Sequence, residues 1–171
     1  MRTALFLLLA SCATTPPGGA RTLRKEVVVP AVPEAVWEAW TTSEGARAFF
    51  APEAAIEARP GGAFELWFDP AQEPGLRGSE GCKVLEAEAP AHLAFTWNFP
   101  PSIPSVRGER TRVDVLLTPE AGGTRVTLSQ TGWRDGPDWD KGWAYFDRAW
   151  GVVLERLARR FTEGPADWSR D

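Results

Sequence analysis

Between Lys141 and Phe161 apolar residues recur at helical spacing. Phe146, Trp150, Val153, Leu154, Leu157 and Phe161 form one stripe, while Arg148, Glu155, Arg156, Arg159 and Arg160 cover the opposite side. A helix this long must bury its stripe against another element. The partners on offer are alternating strands: Phe64-Leu66-Phe68, Cys82 to Glu88, Leu93-Phe95-Trp97, Thr111-Val113-Val115-Leu117 and Val126-Leu128-Gln130. Their polar positions, Arg112 and Asp114 or Arg125, Thr127 and Ser129, define a wet face opposite a dry one, the pattern of an antiparallel sheet. Upstream, Leu23–Val29 is strand-like and ends at Pro30. Pro33 opens a short helix with Val36, Trp37 and Trp40 on one face, and Ser43 caps a second one predicted to run to Phe50. Asp138 or Asp140 is the expected cap of the long helix. The order predicts an α+β domain: a curved antiparallel sheet wrapped around one long C-terminal helix, with two short helices after the first strand.

A chain of 171 residues suits one such domain plus a leader. Nine tryptophans and nine phenylalanines supply enough aromatic surface for a large core, or for a core enclosing a greasy cavity. A net charge of −4 without a concentrated basic patch argues against a nucleic-acid partner. His92, the one histidine, sits in a tight turn between strands, where a solvated surface role is the ordinary expectation. No zinc-protease, redox-cysteine, phosphate-loop or dinucleotide glycine pattern occurs, and the acids are scattered. The expectation is therefore no catalytic residues, no metal site and no cofactor.

The first residues carry a separate message. Arg2, the apolar run Leu5–Ala10 and the small residues Ala10 and Ser11 before Cys12 have the layout of a secretory leader. Leu9-Ala10-Ser11-Cys12 resembles the lipobox of bacterial lipoproteins, in which the cysteine is acylated and the leader is cut just before it. Residues 1–11 are then a signal peptide, 12–21 a lipidated flexible tether, 22–162 the folded domain and 163–171 a C-terminal tail. The protein would be secreted and held by lipid on Cys12, on the periplasmic or outer-surface side of a membrane. An incidental cysteine in a plain leader, or a misplaced start that would leave the protein cytoplasmic, are the alternatives. With Cys12 consumed by lipid, Cys82 is left without a disulfide partner and reads as a small buried hydrophobe.

Five segments, VPAVPEAVWEAWTTSEG, RPGGAFELWF, VLEAEAPAHLAFTWN, TRVDVLLTPEAGGTRVTLSQTGW and YFDRAWGVVLERLARRF, together resemble the SRPBCC superfamily. They look most like its branch named for the activator of the heat-shock-protein-90 ATPase. The resemblance implies the helix-grip fold (START-like, Bet v-like) and a cavity between sheet and helix. The superfamily includes hydrophobe carriers, aromatase/cyclases and co-chaperone modules, so fold alone does not choose a function. On the dry parity, Leu66, Phe95, Trp97, Val113, Val115, Leu128, Phe146 and Trp150 are the candidate walls. Gln130 continues that parity and is the polar candidate, unless it lies at a frayed strand end in water. Trp133, in the loop GWRDGPDWDKGW, matches the superfamily's variable cavity entrance. Asp69–Glu80 and Asn98–Arg110 are rim loops, and Arg107, Arg110 and Arg112 are either anion-facing groups or ordinary residues of a wet face. The expected function is non-catalytic binding or carriage of a small hydrophobic or amphipathic molecule. An aromatase/cyclase-like enzyme using the same cavity and a protein-interaction module are the rivals.

Overall fold

The computed structural model describes residues 21–170. Cys12, the leader and most of the tether lie outside the described residues. In chain order the elements are β1 (Leu23–Val29), α1 (Pro33–Thr41), α2 (Ser43–Arg47), β2 (Glu53–Ile56), β3 (Phe64–Trp67), β4 (Val84–Glu88), β5 (His92–Asn98), β6 (Arg110–Glu120), β7 (Gly123–Thr131) and α3 (Pro137–Glu163). The fold class is the one expected, α+β with a five-stranded antiparallel sheet ordered β1-β7-β6-β5-β4 and a long C-terminal helix. β2 and β3 form a separate two-stranded ladder. Bridges from Ala63 to Lys83 and from Trp67 to Gly78 hold that ladder beside the start of β4.

Register follows side-chain parity. Val113 faces Gln130, Val115 faces Leu128 and Leu117 faces Val126 across β6 and β7, while Phe95 faces Val113 across β5 and β6. All of these inward side chains are buried. Pairing of β1 to β7 brings the chain back beside the hairpin turn, where a Cβ on Gly123 would lie 2.0 Å from the Val29 carbonyl. At φ +154° and with that close approach, only glycine fits there.

Helix α3 has 27 residues, roughly 40 Å of rod. It buries Trp139, Phe146, Trp150, Val153, Leu154 and Leu157. Helices α1 and α2 close one end of the core, placing Trp40 against Phe49, Phe50 and Phe95. The segment after α3 is tied back: Ala166 N–H donates to the Ala48 carbonyl and Trp168 Nε1 to the Arg47 carbonyl. No helix among the described residues is long and apolar enough to cross a membrane.

Four local expectations are corrected. Thr42, not Ser43, caps α2, accepting from Gly45 N–H at 2.9 Å, and the helix stops at Arg47 rather than Phe50. Ser43 Oγ instead accepts from Ile56 N–H of β2, a strand its polar and small residues did not announce. β4 begins at Val84, with an irregularity in its pairing to β5 between Val84 and Glu86, so Cys82 lies just before it and is fully buried. Helix α3 starts at Pro137 after Gly136, without a side-chain cap. Asp138 instead accepts from Ser105 Oγ and Lys141 Nζ, while Asp140 pairs with Arg21.

Candidate functional site

Between the end of β5 and α3 lies a cavity of about 430 Å³. That size falls within the usual range for small-molecule pockets, about 300–1,000 Å³. Its walls are Phe50, Phe68, Trp97, Phe146, Trp150 and Val153. The rings form a continuous surface. Trp97 and Trp150 centroids are 5.2 Å apart, Phe146 stacks on Trp150 at 6.1 Å, and Phe50 stacks on Trp97 at 5.7 Å. Phe68 and Leu76, each nearly half exposed, and Tyr145 on α3 ring the mouth. Three of the large apolar side chains that the fold leaves in solvent thus gather at one opening.

The mouth is closed on one side by the loop that joins β3 to β4. Arg107, in the loop between β5 and β6, holds it in place. Its guanidinium donates to the carbonyls of Gly75, Gly78 and Phe99 and lies 3.8 Å from Glu80. Burial lowers the Arg107 pKa, and Glu80 and Cys82 push the other way. The group stays charged, as arginine does in proteins. At Glu80 burial would raise the pKa, but N–H groups of Gly75, Arg77 and Gly78 and the Arg107 charge outweigh it and hold the carboxyl below the ordinary range. Asn98, 5% exposed, adds a further bond from Nδ2 to the Gly78 carbonyl at 3.1 Å. The polar groups bordering the cavity are thus engaged in fixing its loops.

The residues singled out from sequence fall into three groups. Trp97, Phe146 and Trp150 line the cavity. Leu66, Phe95 and Val113 are fully buried core, as are their neighbours Val115 and Leu128, and none of them lines the cavity. Gln130 is fully buried rather than frayed. Its Nε2 donates to Thr111 Oγ1 at 2.9 Å, its Oε1 accepts from Trp150 Nε1 at 2.7 Å, and its backbone carbonyl accepts from Trp133 Nε1 at 2.9 Å. The amide therefore stands behind the Trp150 wall and fixes its ring. Trp133 packs on Phe99, Trp143 and Phe146 and does not reach the cavity. Phe50, Phe68, Leu76 and Tyr145 were not anticipated. The signals available for them were an apolar residue ending an alternation (Phe68) and a lone leucine in a polar loop (Leu76).

The lining is mainly aromatic and aliphatic, with Asp69, Gln72, Arg77, Asn98 and Arg107 as its charged and amide side chains. Among the described residues bordering the cavity there is no histidine or cysteine. Cys82 is buried outside it, with its thiol pKa raised by burial. His92 is on the outer face of the sheet, partly buried and bonded to Asp114 at 2.9 Å. Arg112 is on that face too, donating to Asp114 and Glu86. Arg110 donates to carbonyls of its own loop.

Several solved structures share this architecture. A Mesorhizobium loti protein, MLL2253, matches with a TM-score of 0.69 at 24% identity, covering 85% of this chain and all of its own. The Bacillus halodurans protein BH1534 matches at 0.62 with 29% identity, covering 82% of this chain and 96% of its own. A structure described as the Aha1 dimer from Colwellia psychrerythraea matches at 0.64 with 18% identity, covering 85% and 99%. No curated protein matches. The sequence model described as activator of Hsp90 ATPase homolog 1-like protein matches residues 30–162, from the end of β1 to the last turn of α3, and the chain belongs to that family.

Proposed function

We propose that this protein binds or carries a small hydrophobic or amphipathic molecule in the cavity between α3 and the end of β5, without catalysing a reaction on it. One observation carries the reading: an open space of about 430 Å³ walled by aromatic and aliphatic side chains, with exposed Phe68, Leu76 and Tyr145 at its mouth. Water in such a space makes few hydrogen bonds, so an apolar occupant is favoured by about 25 cal/mol for each Å² it withdraws from solvent. The bordering polar groups support binding rather than turnover, because Arg107 and Asn98 are committed to holding the loops. The lipobox-like Leu9-Ala10-Ser11-Cys12 supports a lipid anchor on Cys12, which would hold the domain outside a membrane and limit its occupants to molecules reaching the cell envelope.

The test is native mass spectrometry of the full chain purified from its own host, followed by organic extraction. A reproducible adduct that raises the melting temperature when added back is the expected result. At a hundredfold excess over Kd the stabilisation is about 2.7 kcal/mol, or roughly 5–10 °C for a chain of this size. No adduct, together with no thermal shift across a panel of lipids and polycyclic aromatics, would refute the reading. Palmitate labelling that disappears in Cys12→Ala tests the anchor separately.

A further inference from the structure

On the outer face of the sheet, away from the cavity, the turn between β4 and β5 brings an imidazole and two carboxylates together. One ligand atom each from Glu86, Glu88 and His92 lie within 4.8 Å of one another. Register explains the meeting: Glu88 faces His92 across the two strands, and Glu86 follows two residues back on the same face. Behind them Asp114 of β6 reaches His92 Nε2 at 2.9 Å. Asp114 is itself fixed by Arg112, which donates to both of its oxygens at 2.8 and 2.7 Å. Asp114 is thereby held as an oriented carboxylate partner of His92 Nε2.

That arrangement occupies Nε2 and leaves Nδ1 toward Glu86. His92 Nδ1 stands 3.6 Å from Glu86 Oε2, while Glu86 Oε1 accepts from Arg112 at 2.8 Å. When Nε2 donates to Asp114, Nδ1 and the Glu86 oxygen each have a lone pair that can turn toward one shared cation. Around a tetrahedral zinc ion with bonds of about 2.0–2.2 Å, neighbouring donor atoms stand roughly 3.3–3.6 Å apart. The separation present is at the edge of that range. Glu88 is exposed and can rotate to complete the set. The carboxylates of Glu86, Glu88 and Asp114 against the Arg112 guanidinium leave two negative charges, which a divalent ion neutralises. A histidine whose second nitrogen bonds a carboxylate is also the usual outer-shell support of a metal-bound imidazole.

We propose that His92 Nδ1, Glu86 and Glu88 form a binding site for a zinc-type divalent cation, with Asp114 as the positioning residue. The three protein ligands leave a fourth place for water. The site ties the β4–β5 turn to β6 through Asp114 and is independent of the cavity.

His92 is the chain's one histidine, so nitrogen-15 labelling of histidine gives a single ring to observe. The experiment titrates zinc chloride into the tag-free full chain near neutral pH, reads both ring nitrogens by NMR, and measures zinc retained after gel filtration. The expected result is a saturable shift of Nδ1 alone at one zinc per chain. Asp114→Asn should weaken zinc binding roughly 10–100-fold, and His92→Ala should abolish it. Cys82→Ala should leave it unchanged, since that thiol is buried. A ring that carries protons on both nitrogens and ignores zinc would overturn the proposal, because a proton is then the cation in the gap. Zinc binding that survives His92→Ala, or that is weaker than millimolar, would overturn it too. The wild-type spectrum decides the matter even if a variant fails to fold.

Discussion

Gln130→Glu should convert the protein into one whose stability depends on pH at a single buried position. Gln130 is fully buried, and its amide links three segments: Nε2 donates to Thr111 Oγ1, Oε1 accepts from Trp150 Nε1, and Thr111 Oγ1 passes its own proton to the Trp97 carbonyl. A neutral glutamic acid can keep every bond, its O–H replacing the N–H toward Thr111 and its carbonyl still serving Trp150. An ionised one cannot. It loses the donor toward Thr111 and places a charge in the core, and burial of this kind raises carboxyl pKa values by up to about 3–5 units. Each unit is worth about 1.4 kcal/mol, so a rise of only two units costs about 3 kcal/mol at neutral pH, against a typical total of about 5–15 kcal/mol. The folded-state pKa lies above the unfolded value of about 4.3, so full stability is present below that value. It is lost progressively as pH rises through the interval up to the folded-state pKa. Urea denaturation of the variant and the parent near pH 4 and near pH 7 measures this directly. The two should agree within about 1 kcal/mol in acid and differ by about 3 kcal/mol at neutrality. Gln130→Leu, which leaves Trp150 Nε1 unserved, should lose about 1–3 kcal/mol at both. A Gln130→Glu deficit of the same size at both pH values would refute the reasoning.

The loop at the cavity mouth should loosen in acid. The depressed Glu80 pKa makes its contribution present above the unfolded carboxyl value of about 4.3 and lost as pH falls through the lower folded value, so hydrogen-exchange protection of the Gly75 and Arg77 amides should collapse there. In Glu80→Gln the same amides should be poorly protected at every pH, and a retained acid transition would count against this account. Gly142→Ala would set a Cβ 2.3 Å from Phe99 Cε1, on a ring packed against Trp133, Trp139 and Phe146. Overpacking of about 1–3 kcal/mol should exceed the roughly 1 kcal/mol gained in helix propensity, giving a net loss in urea titration. A more stable variant would show that the ring yields freely.

What could be read from the sequence, and what could not, divides along one physical line. β6, β7 and α3 bury their large apolar side chains on one side, so their periods announce them, and the helix-on-sheet arrangement follows. β2 escapes because Glu53-Ala54-Ala55-Ile56 has no buried side to alternate with, and Ser43 misleads as a cap because its partner is thirteen residues away. The cavity is harder still. Parity correctly turned Leu66, Phe95, Trp97 and Val113 inward, but it cannot say whether anything stands opposite. Phe64 covers Phe95 with a ring stacked at 3.9 Å, whereas Trp97, two residues on, borders open space. Beside Trp97 the cavity is bordered by the loop after β3, which Arg107 holds through the Gly75 and Gly78 carbonyls. Loops carry no period, and backbone carbonyls carry no identity, so nothing in the residue pattern reports that hold. A cavity is a place where packing stops. It is bordered by aperiodic segments, and in this chain Arg107 is the side chain that ties two of them to each other.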